Sequence, residues 1–331
     1  MNTHKSRVGF IGTGNMADWH ARALRVAGFE LTAACARPGS RRLAPFAERH
    51  GIAHVYEDWE TMLSEPKRFD ALVIATPTDA SAWILEYALD SGIPILVEKP
   101  VARNSSKLAS LCRKPHDRVI VGYNRRFYAS AQKARSEVQQ GPPLLIQMSL
   151  PEDIVTSVKP DTSSNYLAPF FENSCHGIDL LRFLAGDLRV ETVRRLETPG
   201  AIQGLAAVLS TQRGDIIQFT ANWGTPANFS ISLHRPGRRL DLSPFEVATI
   251  FEGMDTLPPS DEYPVRRYIP RETGRVSLDD LDLREKPGFV RQALALKSLV
   301  ETGVRPPEAA SLHDAMMAIR LCEELAGVQL S

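Results

Sequence analysis

From Arg7 to Gly122, short apolar runs alternate with segments of helical period. The runs are VGFI near Val8, LTAACA from Leu31, ALVIA from Ala71, ILVE from Ile95 and VIVG from Val119. Short uninterrupted runs of this kind mark strands buried on both faces of a parallel sheet. Helices are expected between them over residues 15–27, 40–50, 79–91 and 104–113, the last opening with Asn104 and Ser105 at cap positions. Strand and helix alternate throughout, which predicts a doubly wound α/β domain.

A further helix over 128–140 stops at Gly141-Pro142-Pro143, and the texture then changes. Strand-like runs follow: LLIQMSL from Leu144, VETVRRL from Val190, AAVLST from Ala206, DIIQFTANW from Asp215, NFSISLH from Asn228 and EVATIFE from Glu246. Turn signals at Arg213-Gly214-Asp215 and Pro236-Gly237 make successive hairpins. Helices over 176–185, 289–300 and 312–325 interrupt or finish this sheet, which predicts an α+β domain with a mostly antiparallel open sheet. Residues 258–283, rich in Pro, Asp, Glu and Arg and weak in periodicity, read as a long loop or arm.

Length and charge narrow the function classes. A chain of 331 residues, 43% of them hydrophobic, is long enough for two packed domains. The expected division is a dinucleotide-binding domain over 1–123 and a substrate-binding and oligomerisation domain over 124–331. Basic and acidic residues both number 39, so there is no electrostatic footprint for nucleic acid and a small-molecule partner is expected. Cys35, Cys112, Cys175 and Cys322 are scattered, with no Cys/His cluster at zinc spacing, and read as reduced buried thiols. The first residues pass from a short polar leader into a strand, and no apolar run approaches a membrane span. A cytoplasmic protein without a membrane partner is the expectation.

The first strand runs into Gly12-Thr13-Gly14-Asn15-Met16-Ala17, a GxGxxA fingerprint at a strand-to-helix turn. Gly12 permits the tight turn, Gly14 lets backbone approach a pyrophosphate, and Ala17 allows close packing of helix on strand. The helix N-terminus then faces the phosphate charge. Where a site preferring NAD carries an acid after the second strand, this chain has Ala36, followed by Arg37, Arg41 and Arg42. A missing acid with nearby arginines points to the 2′-phosphate of NADP; NAD is the alternative, with the arginines merely solvating a helix start.

Three further segments complete an ordered set: Ala75-Thr76-Pro77, Glu98-Lys99-Pro100, and Val121 to Phe127 reading VGYNRRF. Together with GTGNMA they resemble the glucose-fructose oxidoreductase and inositol dehydrogenase family (Gfo/Idh/MocA), and the resemblance covers nearly the whole chain. It implies an NAD(P)-dependent oxidoreductase acting on a secondary alcohol or ketone of a sugar, cyclitol or nucleotide sugar. Thr76, Pro77 and Glu98 thereby join the cofactor-binding set, and Lys99 lies beside nicotinamide and substrate, often ahead of a cis proline. Read from the residues alone, Lys99 ends a strand at the carboxyl edge of a parallel sheet, where an ammonium can polarise a hydroxyl or carbonyl.

The segment Glu172-Asn173-Ser174-Cys175-His176-Gly177-Ile178-Asp179 resembles the family's DxGxHxxD element, and His176 matches its catalytic histidine. On a helix Glu172, His176 and Asp179 project from one face while Leu180, Leu181 and Leu184 face the core. A histidine bracketed by carboxylates suits proton transfer. The resemblance implies a catalytic set of Lys99, His176 and Glu172, and substrate contacts from Tyr123, Arg125, Asn165 and Asp179. The chain departs from the family pattern at Glu172, at the NYLAPFF run from Asn165, and at Ser81, where many members have histidine. The same scaffold also serves dinucleotide-binding regulators and biliverdin reductase; retained Lys99 and His176 argue against the first, and the polar face over 172–179 against the second. An open sheet face, through which the family pairs subunits, implies a homo-oligomer.

Overall fold

The computed structural model describes residues 5–152, 170–198 and 201–328. The chain forms two compact units, one of residues 1–127 with 280–331 and one of residues 128–279.

In the first unit the strands are β1 (Arg7–Ile11), β2 (Glu30–Cys35), β3 (His54–Tyr56), β4 (Ala71–Ile74), β5 (Ile95–Val97) and β6 (Val119–Val121). They pair in parallel in the order β3-β2-β1-β4-β5-β6, the doubly wound arrangement the alternating pattern predicts. Between them run α1 (Asn15–Val26), α2 (Leu43–Arg49), α3 (Trp59–Leu63), α4 (Thr78–Ala88) and α5 (Ser105–Leu111). The Asn104 side chain caps α5, accepting from Lys107 N at 2.8 Å. β3 and α3 were not expected, because HVY is a partly exposed strand without an apolar run and the five residues of WETML make little more than one helical turn.

In the second unit, α6 (Ala129–Gln140), β7 (Leu145–Glu152), α7 (Cys175–Ala185), β8 (Leu188–Thr198), β9 (Ala201–Thr211), β10 (Ile216–Trp223), β11 (Ser230–Arg235), β12 (Arg238–Leu242), β13 (Ala248–Leu257) and β14 (Arg267–Val276) follow in order. Eight strands pair as β14-β13-β12-β11-β7-β10-β9-β8, antiparallel throughout except for β7 with β10. Alternation sends Ile146, Met148 and Leu150 of β7 and Ile217, Phe219 and Ala221 of β10 to one buried face.

Two expectations change. Residues 258–283 are not all loop: 267–276 form the edge strand β14, followed by α8 (Asp280–Arg284). As an exposed edge holding Pro270 and Gly274, β14 has no buried face to impose alternation, and pairing with β13 shapes it instead. The closing helices α9 (Phe289–Thr302) and α10 (Leu312–Ala326) were expected with the second domain, yet they belong to the first unit. Phe289, Val290, Ala293, Leu296 and Leu299 of α9 share one core with Val8, Phe10 and Leu24. α10 docks on α5, where Glu323 accepts from Ser105 N at 2.8 Å and from Ser105 Oγ at 2.5 Å. Among the described residues no helix is long and apolar enough to cross a membrane.

Candidate active site

The turn after β1 is built for close approach. Gly12 has φ of +99°, and a Cβ there would stand 2.2 Å from the Ala75 carbonyl oxygen, so only glycine fits. Gly14, the residue before α1, has open space ahead of it, a Cβ there meeting no atom nearer than the Arg42 guanidinium at 3.7 Å. Thr13, Gly14 and Asn15 line a cavity of about 380 Å³ with Asp18, Trp19, Arg41, Arg42, Pro45, Phe46 and Arg49. Arg49 pairs with Asp18 at 2.6 Å, and His50 lies 2.9 Å from the same oxygen. Burial pushes the Asp18 carboxyl up, but these two partners outweigh it and hold it below the ordinary carboxylate range. Arg41 and Arg42 form no ion pair among the described residues, so the cavity keeps an excess of positive charge at a helix N-terminus. Arg37 is exposed and does not line this cavity. The cradle therefore fits a phosphate-bearing dinucleotide.

The Thr76-Pro77 turn ahead of α4 is fixed by Ser81, whose buried hydroxyl lies 2.9 Å from Thr76 Oγ1 and donates to the Thr76 carbonyl at 3.1 Å. Ser81, a departure from the family pattern without an evident consequence in sequence, is thus a brace for that turn.

Beyond β5 the backbone turns through a cis Lys99–Pro100 peptide. Glu98 points inward, with Oε1 2.6 Å from His20 Nε2 of α1 and Oε2 accepting from Lys99 N at 3.2 Å. Burial raises the Glu98 carboxyl, but the His20 bond and the charges of His20 and Lys99 prevail, so it stays ionised below its ordinary range. Sequence reading placed Glu98 with the cofactor contacts; the structure ties its carboxylate to His20. The signal for His20 was available: it shares the buried face of α1 with Ala17, Ala21 and Leu24, where a histidine needs a partner.

After β6, Tyr123 is fully buried and Arg125 half-buried. Arg126 is buried and lies 3.3 Å from Asp314 of α10. Burial raises the Asp314 carboxyl, while Arg126 and Ser311 more than offset it. Asn124 Nδ2 donates at 2.8 Å to the carbonyl of Pro287, just ahead of α9.

In the second unit, residues 170–174 form a π-type turn that leads into α7. Glu152 at the end of β7 is buried and accepts from Asn173 Nδ2 at 2.9 Å and from Ser174 Oγ at 2.5 Å, which fixes the approach to His176. Sequence reading missed Glu152 because it lies on β7, far along the chain from the motif it holds. His176 and Asp179 are buried and Glu172 half-buried. A Cβ on Gly177 would meet Leu150 Cδ2 at 2.5 Å, so the helix carrying His176 packs directly on β7. Asn165 lies outside the described residues.

A parallel sheet in the 3-2-1-4-5-6 order, with a glycine cradle at its first turn, defines a Rossmann dinucleotide-binding protein. Residues 6–123 match the family model described as "Oxidoreductase family, NAD-binding Rossmann fold". An uncharacterized oxidoreductase of Bacillus subtilis, YrbE, is 26% identical over 185 residues, covering 54% of this chain and 53% of that protein. An inositol 2-dehydrogenase of Corynebacterium glutamicum is 26% identical over 258 residues, covering 70% of this chain and 74% of that protein. The chain thus matches between about half and three quarters of the length of these relatives. A levoglucosan dehydrogenase solved with NADH and L-sorbose shares the fold over 98% of this chain and 96% of that one, with TM-score 0.75 and 16% identity.

Proposed function

We propose that this protein is an NADP-dependent dehydrogenase or reductase that moves a hydride to or from a secondary alcohol or ketone of a sugar, cyclitol or nucleotide sugar. The observation that carries the reading is the arginine-walled cavity at the N-terminus of α1, in the same unit as an ordered Glu98-Lys99 turn. The activities of the relatives, inositol 2-dehydrogenase and levoglucosan dehydrogenase, support the polyol class.

When bound, the dinucleotide supplies the hydride acceptor or donor. The N-terminus of α1 and the glycine turn would hold its pyrophosphate, with Arg41 and Arg42 receiving the 2′-phosphate as paired guanidinium donors. Lys99 donates a hydrogen bond to the reacting oxygen, and its orientation follows from the bond between its N–H and Glu98. His176 is proposed as the group that takes or returns the hydroxyl proton, with Glu172 and Asp179 of the same segment setting its basicity. The exposed register partners Leu145 and Ile216, on the open face of the second unit's sheet, support a homo-oligomer.

The test is a titration of the purified chain with NADPH and with NADH, followed by nicotinamide fluorescence, then turnover on a panel of polyols and nucleotide sugars. Binding with turnover that Lys99→Ala and His176→Ala each reduce by about a hundredfold or more is the expected result. Binding without turnover on any substrate overturns the enzyme reading, and near-normal rates in both variants overturn the residue roles.

A further inference from the structure

Asp18, in the first turn of α1, puts a carboxylate on a cavity wall that otherwise carries Arg41, Arg42 and Arg49. An anion facing a phosphate cradle works against it unless its charge is held elsewhere. Asp18 Oδ1 takes two donors at once, Arg49 Nη1 at 2.6 Å and His50 Nε2 at 2.9 Å, from adjacent positions at the end of α2.

The two donors differ in freedom. The His50 side chain is 3% exposed, its ring lies 4.7 Å from that of Phe46, and Arg25 of α1 donates to its backbone carbonyl. Its Nδ1 is buried and meets no partner, so among the described residues Asp18 is the ring's sole hydrogen-bond partner. The Arg49 side chain, by contrast, is 61% exposed on the cavity rim.

Burial raises the Asp18 carboxyl, and His50 does more than Arg49 to bring it back down. The carboxylate therefore remains held when Arg49 leaves it. An exposed ion pair contributes little, whereas a guanidinium meets a phosphate through two parallel hydrogen bonds of greater strength. Exchange of Asp18 for a phosphate thus favours Arg49, and His50 keeps the exchange from stranding a partly buried anion.

We propose that Arg49 is a third guanidinium for the dinucleotide 2′-phosphate, held in reserve by Asp18 and released when the phosphate arrives, while His50 keeps the carboxylate. Asp18 and His50 are then positioning residues that set how strongly phosphate is preferred over hydroxyl at that ribose. This rests on the NADP reading above and deepens it: Arg41 and Arg42 are the standing wall, Arg49 the movable part.

The experiment titrates the full chain with NADPH and with NADH, nicotinamide fluorescence giving each Kd. Arg49→Ala should weaken NADPH binding by about fivefold to twentyfold and NADH binding by no more than about twofold. Asp18→Asn keeps an oxygen for His50 but no charge to retain Arg49. It should tighten NADPH binding by about threefold to tenfold and leave NADH within about twofold. In the Arg49→Ala background the same substitution should change NADPH binding by no more than about twofold. His50→Leu leaves Asp18 to Arg49 alone and should weaken NADPH binding about threefold or more, while His50→Gln, which keeps a donor, should stay within about twofold of the parent chain. Asp18→Asn fits the same space, so it carries the test even where His50→Leu does not fold.

Unchanged or weaker NADPH binding in Asp18→Asn overturns the inference. So does an equal gain with and without Arg49, which makes Asp18 a plain repeller of phosphate. Either result, in a parent chain that prefers NADPH, leaves the NADP reading standing. A parent chain that binds NADH as tightly as NADPH overturns that reading, and the inference with it.

Discussion

His20 Nε2 of α1 lies 2.6 Å from Glu98 Oε1, so the helix that opens the dinucleotide cradle is tied through a buried pair to the residue preceding Lys99. The pair couples two features that sequence motifs present as separate. Its second carboxylate oxygen receives the Lys99 amide, which sets the path of the backbone from which the lysine side chain leaves.

Breaking that pair from the histidine side leaves an ionised carboxylate without its buried partner. We expect His20→Ala to lower unfolding free energy by about 3 kcal/mol in urea. The loss should be smaller in His20→Gln, which retains a donor, and turnover should fall along with stability as Lys99 loses its orientation. Unchanged urea midpoints in both variants would show that the contact does not hold the turn.

Gly12→Ala tests the cradle more severely. The substituted Cβ would stand 2.2 Å from the Ala75 carbonyl, in a backbone region that side chains rarely adopt. The expected cost exceeds about 3 kcal/mol, with dinucleotide binding lost. Circular dichroism separates the two effects, since a folded variant that still binds dinucleotide would contradict the geometry.

Much of this was legible in the sequence. Five strands of the first sheet, all but β3, are short and mostly buried apolar runs, and the fingerprint sits where a strand gives way to a helix. The rest depended on contacts between distant segments. β14 is shaped by its partner strand rather than by its own pattern, and α9 has an apolar face that does not declare which domain it covers. Glu152 acts beside residues far from it in the chain, so no local spacing marks it.

The second unit carries its own pH sensitivity. Glu137 of α6 meets Lys133 at 2.9 Å, Arg238 at 2.7 Å and Arg235 at 3.1 Å. Burial raises its carboxyl, but Arg238 and Lys133 outweigh it and bring the value from 4.5 to about 2. A depressed carboxylate contributes stability above its unfolded value and loses it as pH falls through the folded one. The difference in stability between the parent chain and Glu137→Gln should therefore be full at pH 6 and above, about 1–2 kcal/mol after solvent screening, and vanish near pH 2. Urea unfolding across that range measures it, and a difference independent of pH would refute the ion-pair account.

Cofactor choice is the sharpest test of the cavity. Arg49 is neutralised by Asp18, whereas Arg41 and Arg42 face the cavity with no carboxylate paired to them among the described residues. A 2′-phosphate would find two guanidinium groups there, and the position just past β2, where a site preferring NAD carries an acid, is Ala36. Replacing both arginines by alanine should weaken NADPH binding by about tenfold to a hundredfold while changing NADH binding by no more than about threefold. The same ratio should shrink with added salt, since exposed charges are screened. If the double variant weakens both dinucleotides equally, the arginines serve the shared pyrophosphate. If it weakens neither, they only solvate the start of α2, and the chain binds its dinucleotide through the glycine turn alone.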